Sequence, residues 1–430
     1  MVLLLKNHKQ ILIILLLLII PFLISGCWGR RETQQMNLST GLGFDKVLVE
    51  GNPQYRITVL SSKPQQGGGG ATGSSGGINE PSRNTTSQVI YLDGDTLWDA
   101  GRNWNLRSSR RLFIGQVLVV VIGENTARQG IAQIIDFLNR HQDARERVWV
   151  IVCRGSAAGF LNAQPEYEPT ASLEIAGIMR DAWQRAGKVK GTDLFNVGYD
   201  LLTPGKEAVI PYMTTFVPPE PSSPIRQNRT TGQGQASGTQ TARQLGSQPQ
   251  SKSFSIAGSA VFKGDQMVGL LNEKENQGLL FLTNQIKGGA VPIAIASSEK
   301  NASIRFKGSQ TRIKPIFSQD GIILNVNIKA DGDLLEEDDD IFRISKEDFK
   351  QAEKATSREI ERRCRLALAK SQELNSDIFG FGDKIHRSDP QQWKQIKDQW
   401  NDIYPTVQVN INAEFKLKQT GVLSEPLTPQ

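Results

Sequence analysis

Histidine and cysteine are scarce in this chain, with three of each among 430 residues. His8 belongs to a basic N-terminal patch, which leaves only His141 and His386 beyond it. Two histidines without a Cys-x-x-Cys pair exclude the common zinc sites, and neither a metal nor a cofactor is expected. No Gly-x-Ser-x-Gly elbow and no His-Glu-x-x-His helix occurs, which removes two frequent hydrolytic arrangements. Catalysis therefore has no positive support, and the chain is not expected to be an enzyme. Charge of one sign is not in excess either: 50 basic against 44 acidic residues gives +6. Without a basic stripe interleaved with aromatics, that balance argues against nucleic acid as a partner. Past the N-terminus, no apolar run reaches the roughly 20 residues that a membrane-spanning helix needs.

What is present begins with Lys6 and Lys9, followed by an apolar, uncharged run of 14 residues from Ile11 to Ile24. That length is short for a membrane span and fits the core of a secretory signal with a basic flank. The run ends in Leu23-Ile24-Ser25-Gly26-Cys27. An aliphatic residue, two small ones and a thiol form the pattern of a prelipoprotein processing site. The cysteine is needed because thioether formation to a diacylglycerol requires a sulfur nucleophile. The expectation is removal of residues 1–26 and a diacylglyceryl and N-acyl group on Cys27. Each buried CH₂ contributes about 0.8 kcal/mol, so two or more acyl chains give durable attachment. Arg30 and Arg31 lie beside this anchor and read equally as headgroup contacts or solvated charges.

The mature chain carries 48 basic and 44 acidic residues, a net +4. Its two remaining cysteines, Cys153 in the strand-like VWVIVC and Cys364 in a long helical pattern, read as buried unpaired thiols rather than a bridge. Residues 27–39 read as a membrane-proximal tether reaching at most about 40 Å. Residues 40–155 read as an α/β domain: strands TGLGFDKVLVE, QYRITVL and SQVIYL, a helix near 96–109, strand QVLVVVIG, a helix 125–141 capped by Asn125, and strand RVWVIVC. Three strands before the first helix point to a mixed sheet. A Gly-rich run at 61–88 contains four consecutive glycines but no following Gly-Lys-Ser/Thr, so it reads as a loop, not a phosphate cradle.

A middle domain is expected over 156–290, with helices near 170–186 and 194–202 and a polar run at 218–253 that buries too little apolar surface to order itself. Both low-complexity runs sit between strand-like segments and read as overgrown hairpin loops. Asn272 with Glu275 forms a capping box. The remainder, 291–430, reads as an α+β domain: an antiparallel meander of SIRFKG, TRIKPIF and GIILNVNIKA, a helix from Ser345 to about Leu374, a helix opened by Asp389-Pro390, and the alternating strand TVQVNINAEFKL. Trp393, Ile396, Trp400 and Ile403 form a buried stripe. The acidic run Asp331–Asp340 lacks the glycine and oxygen spacing of a calcium loop and reads as a solvated loop; the carboxylate pair Glu336 and Glu337 within it carries no further mark of acid–base work. The segment Phe379–His386, FGFGDKIH, reads first as tight packing and second as a binding hot spot, because alternating glycines permit close backbone approach.

Taken in order, GCWGRRE, RRLFIGQVLVVVIGENTARQGIAQIIDFLNR, GSAVFKGDQMVGLLNEKENQGLLFL, TRIKPIF and DIFGFGDKIHRSDPQQWKQIKDQWNDIYP resemble the Ger(x)C family, the C subunits of spore germinant receptors. The resemblance runs from Cys27 to about Gly421, outside the two low-complexity runs. It departs from the family at Gly29, where an aspartate is usual. The resemblance implies an α+β fold of three mixed α/β domains. It also implies a non-enzymatic lipoprotein on the outer face of the spore's inner membrane, assembled with integral-membrane A and B subunits into a nutrient receptor. The alternative, a solute-binding lipoprotein of a transport system, would need two similar lobes, and no such repeat is visible.

Overall fold

Two β-sheets organise the chain in a computed structural model that describes residues 35–62, 87–216, 253–295, 300–318, 321–337 and 346–420. The first sheet holds β1 (Met36–Val49), β2 (Asn52–Ser62), β3 (Ser87–Gly94), β4 (Arg111–Phe113), β5 (Val119–Gly123), β6 (Trp149–Cys153), β7 (Val209–Phe216), β8 (Ser253–Lys263) and β9 (Gln266–Leu271). Their order is β3-β2-β1-β5-β6-β7-β8-β9, with β4 beside the start of β1. The second sheet is β10 (Ala290–Ile295), β11 (Lys300–Ser318), β12 (Gly321–Glu337) and β13 (Gln408–Thr420), in that order.

The helices are α1 (Leu97–Arg102), α2 (Glu124–Gln129), α3 (Ala132–Arg140), α4 (Ala157–Leu161), α5 (Ala171–Gln184), α6 (Leu194–Leu202), α7 (Glu273–Leu282), α8 (Lys346–Glu373), α9 (Phe381–Ser388), α10 (Pro390–Ile396) and α11 (Trp400–Ile403). None of these helices is long and apolar enough to cross a membrane.

The first sheet is mixed because its centre is covered on both faces while its flanks are hairpins. β1, β5, β6 and β7 run parallel. Parallel strands buried on both sides read as continuous apolar runs, and Val119–Gly123 is buried throughout. Val120 and Ile122 pack with Ile134, Ile135 and Leu138 of α3 and Leu194 and Val197 of α6. Val119 and Val121 point the other way, onto Phe160, Leu161, Ile175 and Met179 of α4 and α5. Sheet continuity passes across the expected division at 155/156, through the pairs Val152–Tyr212 and Cys153–Met213.

The strands bordering each low-complexity run pair antiparallel, with Ser62 opposite Ser87 and Phe216 opposite Ser253. Strand therefore extends into both ends of the expected 61–88 loop and the end of the 218–253 loop, while their remaining residues lie outside the described ones. β1 likewise begins at Met36, four residues inside the expected tether.

In the second sheet α7 and α8 cover one face, and the core joins Leu279–Leu282, Ile360, Cys364 and Ala367 to Leu324, Val326, Ile328 and Phe415. β13 alternates as expected: Ile411, Ala413 and Phe415 are buried and Asn412, Glu414 and Lys416 exposed. The antiparallel meander is β10-β11-β12, with β13 parallel to β12.

Four expectations are corrected. The helix placed at 125–141 is two helices, because Gly130 takes φ 119° and the Asp265 carbonyl accepts the Ile131 N–H at 2.9 Å. Asn125 is consequently not a cap; Gly123 precedes the first turn. SIRFKG and TRIKPIF form one strand, β11, which absorbs an irregularity between Phe306 and Gly308 instead of turning. The acidic run is not a loop over 331–337, which belongs to β12, and Asp333 is buried with Lys307 at 2.8 Å and Arg305 at 3.0 Å. Residues 338–340 lie outside the described ones.

Candidate functional site

Residues 203–207, between α6 and β7, meet residues 374–380, between α8 and α9, where the two sheets adjoin. Two backbones cross here and bond directly. The Glu207 N–H donates to the Asp377 carbonyl at 2.9 Å, and the Asp383 N–H to the Gly205 carbonyl at 3.2 Å. The end of β8 joins the crossing: the Ser376 hydroxyl donates to the Phe262 carbonyl at 2.5 Å. The Lys263 ammonium reaches the Asn375 carbonyl and the Asn401 side-chain oxygen, each at 2.6 Å.

The glycines of FGFGDKIH now have a physical reason. Gly380 adopts φ 68° and Gly205 φ 71°, both left-handed conformations that carry a penalty for any residue with a Cβ. Gly382 lies against Gly205, so neither can carry a side chain without moving the other segment. The phenylalanines fill the space beside them, with Phe379 and Phe381 stacked at 5.0 Å and both buried. Tight packing, the first of the two sequence readings, is what the segment does.

Asp377 sits at the centre of the crossing. Its Oδ1 accepts from the Phe381 N–H at 3.0 Å. Its Oδ2 accepts from the Gly382 N–H at 2.8 Å and the indole N–H of Trp400 at 3.1 Å. Two of these donors are the otherwise unsatisfied first amides of α9. Burial pushes the carboxyl up to about 7 in spite of them. Burial also raises Glu207, which accepts from the Gly264 N–H at 2.7 Å. Below the crossing, buried Asp200 pairs with Lys190 at 2.9 Å and Lys206 at 2.5 Å. The joint is thus a polar seam whose central carboxyl titrates near neutrality.

A second polar cluster lies at the carboxyl ends of β1, β5 and β6, where doubly wound sheets usually bind ligands. Here the chain fills the place itself. Asp45 accepts from the Ala157 and Ala158 N–H groups, each at 2.9 Å, and a Cβ on Gly123 would stand 2.1 Å from the Asp45 carboxyl. Burial pushes Cys153 well above the ordinary thiol range, which leaves it without nucleophilic thiolate. Tyr212 donates to Glu124 at 2.6 Å. Among the described residues no group of three or more histidine, cysteine, aspartate or glutamate side chains could hold a metal ion.

The individual sequence candidates separate in space. Cys153 and Cys364 are both buried and unpaired, as expected. His141 ends α3 and stacks on Trp98, while His386 lies in the last turn of α9 near Trp393. Cys27, Gly29, Arg30 and Arg31 lie outside the described residues. Asp377, Glu207 and Asp200 were not singled out from sequence. Asn375-Ser376-Asp377, two residues ahead of Gly380-Phe381-Gly382, was the available signal, since short polar residues bond following amides at such turns.

Comparison with known proteins now adds an identity. Residues 29–215 match the family described as spore germination protein N-terminal domain, and residues 257–421 that described as spore germination B3/GerAC like, C-terminal. The chain belongs to the Ger(x)C family of spore germination proteins. Spore germination protein KC of Bacillus subtilis (strain 168) is 23% identical over 428 residues, 98% of each chain. Spore germination protein B3 of the same organism is 21% identical over 409 residues, 94% of this chain and 96% of its own. The crystal structure of the GerBC protein has the Ger(x)C fold seen here, with a TM-score of 0.52 at 17% identity, covering 89% of this chain and 99% of that one.

Proposed function

We propose that this Ger(x)C protein is a lipid-anchored, non-enzymatic subunit of a spore nutrient receptor. Its anchor is the acylated Cys27, and it works through contacts with integral-membrane A and B subunits on the outer face of the spore's inner membrane. The observation that carries this reading is the end-to-end match to spore germination proteins in a chain whose N-terminal apolar run stops at Gly26-Cys27. Two further features support it. The buried carboxyls and thiols described above are satisfied or inert rather than arranged for chemistry. The two sheets differ in strand number and order, so nothing favours a solute-binding protein with two like lobes.

The test is genetic and physical. Spores lacking this gene, in a background without other receptor copies, should lose the response to the cognate nutrient. Crosslinking in intact spore membranes should recover integral-membrane germination proteins beside this chain. A full nutrient response in the deletion strain would refute the proposal.

A further inference from the structure

Beneath α1, β4 and the end of α3, a cavity of about 240 Å³ opens on the α3 side of the first sheet. Leu42, Ile57 and Leu92 of β1, β2 and β3 line its depth, with Trp104 and Phe137 beside them. An apolar cavity of about 150 Å³ stays dry and accepts a benzene molecule. This one therefore has room for a six-membered ring and a short polar arm.

The mouth has a different character. Trp98 is 48% exposed, although its ring is held in place on two sides. It lies parallel to His141, with centroids 6.1 Å apart and planes at 10°, and edge-on to Phe137 at 4.9 Å. A fixed and accessible indole offers a flat apolar surface. Arg102 and Arg111 line the same cavity, and no carboxylate does. Arg111 has Asp143 at 3.7 Å, whereas Arg102 has no ion-pair partner among the described residues. His141 accepts the Asp143 N–H through Nδ1 at 3.3 Å. Burial holds its pKa below the usual value, so the neutral ring carries its proton on Nε2 and can donate.

We propose that this cavity is a binding site for a small organic carboxylate, with a flat or branched apolar body against Leu42, Ile57 and Trp104 and the carboxylate at Arg102 and Arg111. The apolar depth selects the body. Two guanidinium groups without a lining acid select a negative charge, since charge-assisted and bidentate bonds to carboxylates are the strong ones. Nothing in this inference depends on the receptor reading, because the binding belongs to the isolated chain.

The full mature chain, held in bilayer nanodiscs, would be titrated calorimetrically with phenylacetate, 3-methylbutanoate and phenethylamine. At least one of the two carboxylates should saturate a single site, and phenethylamine, with the ring but the opposite charge, should bind at least tenfold more weakly. Arg102→Gln should weaken carboxylate binding at least tenfold. Gly101→Leu supplies the second arm: Gly101 lines the cavity, and a Cβ there meets only Phe137, at 3.9 Å. Its side chain should fill the space and abolish binding while leaving the melting temperature unchanged or higher. Saturation by neither carboxylate, equal binding of phenethylamine, or undiminished affinity in Arg102→Gln or Gly101→Leu would each overturn the proposal.

Discussion

Gly205 and Gly382 approach so closely that a Cβ on either would stand 2.7 Å from the other's Cα. A Cβ does not approach a non-bonded carbon that closely, so a substitution must push apart the two backbones that join the sheets. Gly382→Ala should therefore destabilise the chain by about 1–3 kcal/mol through overpacking. Gly205→Ala should cost about 1 kcal/mol more, because its backbone is also left-handed. Gly177→Ala, with nothing within 4 Å of its added Cβ, is the control and should be neutral or stabilising in its helix. Denaturant unfolding of the three variants measures this; equal midpoints would remove the glycine contact as a determinant of the joint.

The protonation of Asp377 makes a directional prediction. In the folded chain the carboxyl keeps its proton to about pH 7, whereas its ordinary value is 3.8. Across that window the unfolded state binds fewer protons, so stability falls as pH rises, by up to about 1.4 kcal/mol per unit. The full contribution is present only below the lower value. Asp377→Asn should flatten the slope between these limits, leaving the same-signed contributions of Glu207 and Asp45, which burial also raises. Identical pH profiles for the variant and the parent would show that the carboxyl is not held protonated.

Asp200 is enclosed by two lysines and is 2% exposed, with Lys190 itself at 7%. Asp200→Ala leaves Lys190 as a buried charge without its counter-ion. A loss of about 3–5 kcal/mol is expected, while Lys206→Met, which leaves the inner pair intact, should cost distinctly less. Thermal or chemical denaturation distinguishes the two; similar losses would mean that the pairs do not differ in burial energetics.

The pairing of Phe216 with Ser253 fixes the ends of the second low-complexity run. Replacing residues 218–251 with a short Asn-Gly turn should stabilise the chain modestly, because loop closure entropy depends logarithmically on length. The connection is halved about three times, at about 0.6 kcal/mol each, so a gain of about 2 kcal/mol is expected. Loss of folding would mean that the run contributes packing.

At the N-terminus, Cys27→Ala should abolish incorporation of labelled fatty acid and move the protein out of the membrane fraction. Labelling that survives this change would refute the reading of Leu23–Cys27 as an acylation site.

Much of this architecture was legible because local chemistry and final structure agree. Val119–Gly123 and Trp149–Cys153 are apolar on both faces and could only be interior strands. Asn272 and Glu275 form their reciprocal cap within four residues, as Asp389 and Pro390 open α10 within two. What escaped the sequence depends on distant partners. The break at Gly130 is fixed by Asp265, which bonds Ala132 from 133 residues away. The acidic run from Asp331 becomes strand because Arg305 and Lys307 stand on its neighbour, β11. Asp377 is unremarkable until folding places Trp400 and the amides of α9 around it. Its neighbour Gly380 was noticed as composition, but the crossing chain at Gly205 was not.

β8 belongs to the first sheet, yet the C-terminal family match starts at residue 257, within that strand. Val209, Val261 and Leu271, all from the first sheet, also sit in the core beneath the second. The two halves that homology separates are thus stitched through a common strand and a common interior. Neither is a free-standing cassette, and swapping one half between related proteins would graft a mismatched wall onto the other.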